Sequence, residues 1–263
     1  MNVFTIFGDP VGHSRSPLMH NSVFKALGID ACYTRTRLTD GSRLRSVFMA
    51  KGLSGANVTV PHKEAAYMQC DEVRGIAATI KAVNTLVLEK GRLIGYNTDA
   101  EGFVRAIESF GPLKSALIIG AGGTARALSI ALRAQGIDVS VLNRSAGRLE
   151  YFQNEGIAAY TWEDFAPAAF DMLINTTSAG LADDKLPLPL PILNQLLSKT
   201  RCAVDVIYGK ETPFLREVKA RFLPYKDGSD MLLQQGVLAS RLFLRDLLSF
   251  EEIEPPMKRS FVL

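Results

Sequence analysis

The stretch SALIIGAGGTARALSIALRAQGIDVSVLNRSAGR, residues 115–148, decides the fold. Residues 116–119 are a short apolar run of the kind found in strands covered on both faces. The run leads directly into Gly120-Ala121-Gly122-Gly123-Thr124-Ala125. A good helix former follows over 127–135, with Ala127, Ile130, Ala131 and Ala134 on one face and Gly136 as its stop. A second strand over 138–142 completes a β-α-β unit. The glycine run therefore stands at a strand-to-helix turn, where a dinucleotide fingerprint requires it. Gly120 permits the tight turn, Gly122 lets the backbone approach a pyrophosphate, and Ala125 takes the small third position. The helix start adds free N–H groups and a partial positive charge for the phosphates. The plainer alternative is a turn that is merely tight.

The end of the second strand bears on which dinucleotide is bound. An NAD site usually has an Asp or Glu there, about 20 residues past the glycines, to hold the ribose 2′-hydroxyl. This chain has Asn143-Arg144-Ser145, with Arg148 one helical turn later. Two guanidinium groups and a hydroxyl, with no acid, suit the 2′-phosphate of NADP. The alternative is a pair of solvated arginines at a helix start.

Composition sets the outer limits. A chain of 263 residues, 47% hydrophobic, can hold one large domain or two small ones. The net charge of +3 is small and scattered, which argues against nucleic acid. No apolar run approaches the ~18 residues of a membrane span. The first residues meet Asp9 and Pro10 at once, so 1–7 is expected to be a first strand and no signal peptide. Cys32, Cys70 and Cys202, with His13, His20 and His62, suggest neither a disulfide framework nor a metal site. The expectation is a soluble cytoplasmic protein; the sequence leaves a homodimer open.

In chain order, strand 3–7 is followed by the loop Gly8-Asp9-Pro10-Val11-Gly12-His13-Ser14-Arg15-Ser16-Pro17. Pro17 suits the first helical position and Ser16 its N-cap, which alone would explain Ser16; Ser14 is not needed for the cap. A strand over 32–38, a helix over 42–50 and a strand over 55–60 come next. Pro61 is expected to start another helix, with Lys63 in its first turn. A lysine there opposes the helix dipole. Either Glu64 offsets the charge and Lys63 is simply exposed, or Lys63 is held where its ammonium form is disfavoured, a setting for acid-base chemistry. Segments 82–89 and 92–96 alternate around Lys90-Gly91, a hairpin signal. Thr98 and Glu101 match a capping box for the next helix, and Asp99 in a first turn is ordinary as well.

These strings also carry a resemblance. Gly8-Asp9-Pro10, His13-Ser14-Arg15-Ser16-Pro17, His20-Asn21, residues 54–64 (SGANVTVPHKE), Ala82-Val83-Asn84-Thr85 and Asn97-Thr98-Asp99 are similar to the substrate domain of the shikimate dehydrogenase family. The glycine turn, Asn143-Arg144-Ser145, Asn175-Thr176-Thr177-Ser178 and the helix with Gln235 continue the match in the same order, over nearly the whole chain. The family implies NADP-dependent interconversion of 3-dehydroshikimate and shikimate in aromatic amino-acid biosynthesis. It implies Lys63 and Asp99 as the catalytic pair, and the Ser14 and Ser16 hydroxyls on the substrate carboxylate. Asn57, Thr59, Asn84, Tyr208 and Gln235 would surround the ring hydroxyls, and Val206 and Gly228 would meet the nicotinamide end through backbone. The implied architecture is two-domain α/β: residues 1–100 and 228–263 bind substrate, and 101–227 form a Rossmann-type NADP domain.

The second half adds a helix over 148–155, a strand over 171–175, and the loop Thr176-Thr177-Ser178 at that strand's C-terminal end, where ligands bind in open α/β sheets. Residues 186–191 read as a surface connection and 201–208 as a strand ending at Tyr208, which could equally be a core aromatic. The last helix is expected over about 231–250, returning to the first domain. Gln234-Gln235 could be no more than its polar face. His62 stands where the family usually has phenylalanine and suggests a surface or cap residue. Gly209-Lys210 replaces a common Asn-Pro. Two alternatives remain: an NAD-dependent quinate/shikimate dehydrogenase, which the arginines oppose, and a catalytically silent nucleotide-sensing regulator, which intact Lys63 and Asp99 oppose.

Overall fold

A computed structural model describes residues 1–261; Val262 and Leu263, the end of the expected 228–263 segment, lie outside the described residues. The chain divides into two compact units, Met1–Gly102 with Leu232–Leu263, and Phe103–Met231. Both divisions fall inside helices.

The first unit runs β1 (Asn2–Gly8), α1 (Ser16–Ala26), β2 (Ala31–Arg37), α2 (Leu44–Ala50), β3 (Gly55–Val58), α3 (Lys63–Gln69), β4 (Glu72–Val73), α4 (Ile76–Ile80), β5 (Thr85–Glu89), β6 (Arg92–Tyr96) and α5 (Asp99–Ile107). Its six strands lie in the order β2-β1-β3-β5-β6-β4. β1 pairs in parallel with β2 and β3, whereas β5 runs antiparallel to β3 and β6. Alternation sorts the side chains of β1: Phe7 joins one core with Leu44, Phe48 and Leu86, while Phe4 and Ile6 join the opposite one with Phe24 and Phe243. At the β5–β6 hairpin Glu89 pairs with Arg92, leaving Lys90 and Gly91 as the turn, both with positive φ. That is the turn whose twist matches paired strands.

The second unit runs β7 (Ser115–Ile119), α6 (Gly123–Ala134), β8 (Asp138–Asn143), α7 (Glu150–Asn154), β9 (Ala158–Thr161), β10 (Met172–Asn175), α8 (Leu190–Leu197), β11 (Cys202–Asp205), α9 (Pro213–Lys219) and β12 (Tyr225–Lys226). All six strands are parallel, in the order β12-β11-β10-β7-β8-β9. Ala116, Ile118, Met172 and Ile174 face one core; Leu117, Ile119 and Leu173 face the other. The strands are thus buried on both faces, as their unbroken apolar runs require. The strand order reverses between β7 and β10, which sets the Gly120 turn beside the Thr176 loop.

Several expectations need correction. The final helix is two: α10 (Gly228–Phe243) and α11 (Phe250–Arg259), with Arg245 and Asp246 at positive φ between them. Leu190 begins α8, so the stretch read as a surface connection ends in a helix whose Leu193, Leu196 and Leu197 are buried. The strand expected to reach Tyr208 stops at Asp205. Pro61 does not begin a helix; α3 starts at Lys63.

Candidate active site

Beyond β3 the chain turns tightly. Thr59 N–H donates to the Phe7 carbonyl at 2.8 Å, and His62 N–H donates to the Thr59 carbonyl at 3.0 Å. His62 is buried rather than a surface residue, its Nε2 against the Leu38 carbonyl oxygen. Lys63 is the first residue of α3, and its own carbonyl accepts from Val83 N–H at 3.0 Å, tying it to the entry of β5. Asp99 is the first residue of α5. At that start Asn97 Oδ1 accepts from the Asp99 and Ala100 N–H groups at 3.1 and 3.4 Å.

The two helix starts meet. Lys63 Nζ donates to Asp99 Oδ2 at 2.6 Å, with the side chains 30% and 18% exposed. Asp99 sits where a helix dipole favours an anion, while Lys63 sits where it disfavours a cation, so the carboxylate offsets what the helix opposes. Lys63 is therefore not a simply solvated side chain.

Ser14 and Ser16 are both buried and joined by a hydroxyl–hydroxyl hydrogen bond of 3.2 Å. α1 has no side-chain cap, so capping does not account for Ser16. Asn57 and Asn84 are buried and linked: Asn57 Nδ2 donates to the Asn84 carbonyl at 3.2 Å and to Thr85 Oγ1 at 3.0 Å. Asn84 Oδ1 accepts from Thr98 N–H at 2.8 Å, and its Nδ2 donates to Thr98 Oγ1 at 3.0 Å. Thr59 is partly buried beside Gly8. Gln235 on α10 packs its backbone against Gly102, where any Cβ would collide, and its Nε2 turns back onto the Leu232 carbonyl at 2.8 Å. Tyr208, partly buried, belongs to the second unit.

In that second unit Gly120 has φ +104°, and its N–H donates to the Leu142 carbonyl at 2.8 Å. A Cβ on Gly120 would come within 2.8 Å of Thr176 Oγ1, whereas one on Gly122 or Gly123 would meet nothing within 4 Å. The start of α6, with Ala121 just before its N-cap Gly122 and Thr124 in its first turn, carries no side-chain cap. Its N–H groups and that open approach fit a pyrophosphate. Arg144, Ser145 and Arg148 are exposed beyond β8, and Asn143 Nδ2 donates to the Ser145 carbonyl at 2.8 Å. Asn175 Oδ1 takes the N–H and hydroxyl of Thr177 at 3.0 and 2.8 Å, which shapes the loop to Ser178. Val206 and Gly228 are in contact: a Cβ on Gly228 would overlap the Val206 carbonyl.

Sequence reasoning missed three buried groups that support these side chains. Tyr33 donates its hydroxyl to Asn57 Oδ1 at 2.6 Å, and His20 stacks on Tyr33 at 4.4 Å. Burial lowers the His20 pKa to about 3. In the second unit Asp205 accepts from Asn175, Ile207 and Thr212, and its carboxyl is pushed above the usual range by burial. No alternation along β2 marks Tyr33 as inward-facing, since Arg35 and Arg37 follow it at the same spacing. Nothing local marks its partner, which is 24 residues away.

Among the described residues no helix is long and apolar enough to cross a membrane. A family model described as the shikimate dehydrogenase substrate binding domain matches residues 6–86. The NADP(+) shikimate dehydrogenase of Helicobacter hepaticus is 44% identical, covering 100% of this chain and 98% of that protein. That of Desulfitobacterium hafniense is 37% identical over 99% of this chain and 98% of its own. The shikimate 5-dehydrogenase of Thermus thermophilus, crystallised with NADP(H) and shikimate, is 38% identical with a TM-score of 0.85, over 99% of this chain and 100% of that one. With the motif strings in the same order on the same two-unit α/β fold, identity of this level along the full length means that the chain belongs to the shikimate dehydrogenase family.

Proposed function

We propose that this chain catalyses the reversible NADPH-dependent reduction of 3-dehydroshikimate to shikimate, with Lys63 moving the proton and Asp99 orienting it. The observation that carries this is the 2.6 Å contact between Lys63 Nζ and Asp99 Oδ2, formed across 36 residues of sequence. A carbinol cannot become a ketone unless its hydroxyl proton leaves, so an acid-base group must touch that oxygen. In the oxidising direction the Lys63 amine accepts that proton. In the reducing direction the Lys63 ammonium polarises the ketone and returns the proton to its oxygen. Asp99 fixes the amine by accepting one of its hydrogens and shares the contact with the substrate hydroxyl.

The hydroxyls of Ser14 and Ser16 bind the carboxylate. Thr59, Asn57, Asn84, Gln235 and Tyr208 serve the ring hydroxyls without adding charge that competes with it. NADPH, when bound, supplies the hydride. The open backbone at Gly122 and the uncapped start of α6 fit its pyrophosphate, and Arg144 and Arg148 its 2′-phosphate. Three free cysteines fit a reducing, cytoplasmic setting.

The test is one assay: reduction of NADP+ or NAD+ with shikimate, then with quinate. Turnover of shikimate with NADP+ far above the other combinations is expected. Comparable rates with NAD+ and quinate would favour a quinate/shikimate enzyme, and no turnover with any pair would overturn the proposal.

A further inference from the structure

We infer that Tyr33 is a positioning residue of the substrate site, holding the Asn57 carboxamide so that Asn57 meets its ligand only as a hydrogen-bond acceptor. The inference rests on the reading of Asn57 as a substrate contact and adds the group that sets its polarity.

The orientation of the amide follows from its neighbours. A backbone carbonyl can only accept, so the Asn57 atom 3.2 Å from the Asn84 carbonyl is the nitrogen. Its second hydrogen goes to Thr85 Oγ1 at 3.0 Å. Thr85 passes its own hydroxyl hydrogen to Asn84 Oδ1 at 2.9 Å. That atom must be oxygen, because it also accepts from the Thr98 N–H at 2.8 Å. Both amide hydrogens of Asn57 are thereby used. Its oxygen accepts from Tyr33 Oη at 2.6 Å, with the His20 side chain as a second neighbour, so a ligand can meet this amide only at the oxygen. Asn84 has the complementary character: one amide hydrogen goes to Thr98 Oγ1 at 3.0 Å and the other is available to a ligand oxygen.

Tyr33 is built to act as a constant donor. It is 3% exposed, and burial raises its phenol well above the usual range, so it keeps its proton. The ring stacks on His20 with 5° between planes, and His20 Nδ1 lies 2.8 Å from Ser240 Oγ on α10. One buried phenol thus holds Asn57, a residue assigned to the substrate, and reaches α10 through His20.

The test is a double-mutant cycle in the full-length enzyme, assayed with shikimate and NADP+. Tyr33→Phe keeps the ring and its stack but removes the hydroxyl. The KM for shikimate is expected to rise about tenfold, the worth of one buried hydrogen bond, with kcat and the NADP+ KM within about twofold. In an Asn57→Ala background Tyr33→Phe should change the shikimate KM by less than about twofold, since its target is gone. Thr85→Val, which acts on the other side of the same amide, should behave likewise and decides the matter if Tyr33→Phe does not fold. Effects of Tyr33→Phe and Asn57→Ala that multiply, or a uniform loss of kcat with both KM values raised, would overturn the positioning role. An unchanged shikimate KM in Asn57→Ala alone would instead remove Asn57 from the site, a separate failure of the underlying reading.

Discussion

A lysine at the first position of a helix and an aspartate at the first position of another meet at 2.6 Å in the same unit. The pair is part-exposed, so its worth to stability is small; in the proposed reaction it serves as a proton carrier held beside an orienting carboxylate. Lys63→Ala should lower kcat roughly a thousandfold, within the range for loss of a positioned acid-base group. The NADPH Kd from fluorescence titration should stay within about twofold, because the residues proposed for the cofactor lie in the other unit. Near-normal turnover in that variant would sink the assignment. His20 makes a prediction of a different kind. Its pKa falls from 6.5 to about 3 on folding, so as the pH drops the unfolded chain takes up the proton first. The neutral burial of His20 therefore contributes fully above about pH 6.5. Its contribution is lost as the pH falls toward 3, at about 1.4 kcal/mol per pH unit. Urea midpoints measured between about pH 6 and pH 4 should fall more steeply for the native chain than for His20→Phe, by one proton's worth of slope. Parallel slopes would show that His20 titrates normally in the folded state.

Elements differ in how openly the sequence declares them. The β7–α6–β8 unit is legible because its signals agree: an apolar run, a glycine turn, a helical face and a glycine stop. Gly120 is the position where the backbone most needs glycine, since φ is +104° and a Cβ would press on Thr176. Gly120→Ala should raise the NADP+ KM at least about tenfold and leave that for shikimate nearly unchanged, because a residue forced to such φ strains the turn itself; equal shifts in both would disprove a local effect. The hairpin at Lys90-Gly91 is legible for the same local reason. The break after α10 is not: Leu244, Leu247 and Leu248 continue an apolar pattern, and Arg245 and Asp246 take positive φ where no glycine announces it. The restart was nonetheless written in Ser249 and Glu252, a reciprocal capping box at 3.3 and 2.8 Å. Ser249→Ala should cost about 1 kcal/mol of stability, read from the urea midpoint, without altering either KM.

At the scale of the whole molecule, the proposed machinery divides between two units of different sheet character. The first is mixed and carries Lys63, Asp99, the two serines and the asparagines; the second is wholly parallel and carries the glycine turn and the arginines. The family strings made most of the substrate side legible, since each is short and local. Its support was not, because Tyr33, His20 and Ser240 come together only through the fold. Cofactor choice stands between these cases. The absence of an acid after β8 was visible, and the structure adds that Arg144 and Arg148 are both exposed, with no salt bridge to either among the described residues. Guanidinium groups in that state lose little on meeting a phosphate, and each charged hydrogen bond contributes about 1.5–3 kcal/mol. Replacing both by alanine should raise the NADP+ KM by roughly a hundredfold while leaving kcat/KM with NAD+ within about twofold, since NAD+ lacks the group they meet. The melting temperature should not move, as surface charges without partners add little to folding. If NAD+ and NADP+ suffered alike, the two arginines would be serving the fold or the pyrophosphate, and preference for NADP would have to come from Asn143, Ser145 and the backbone between them.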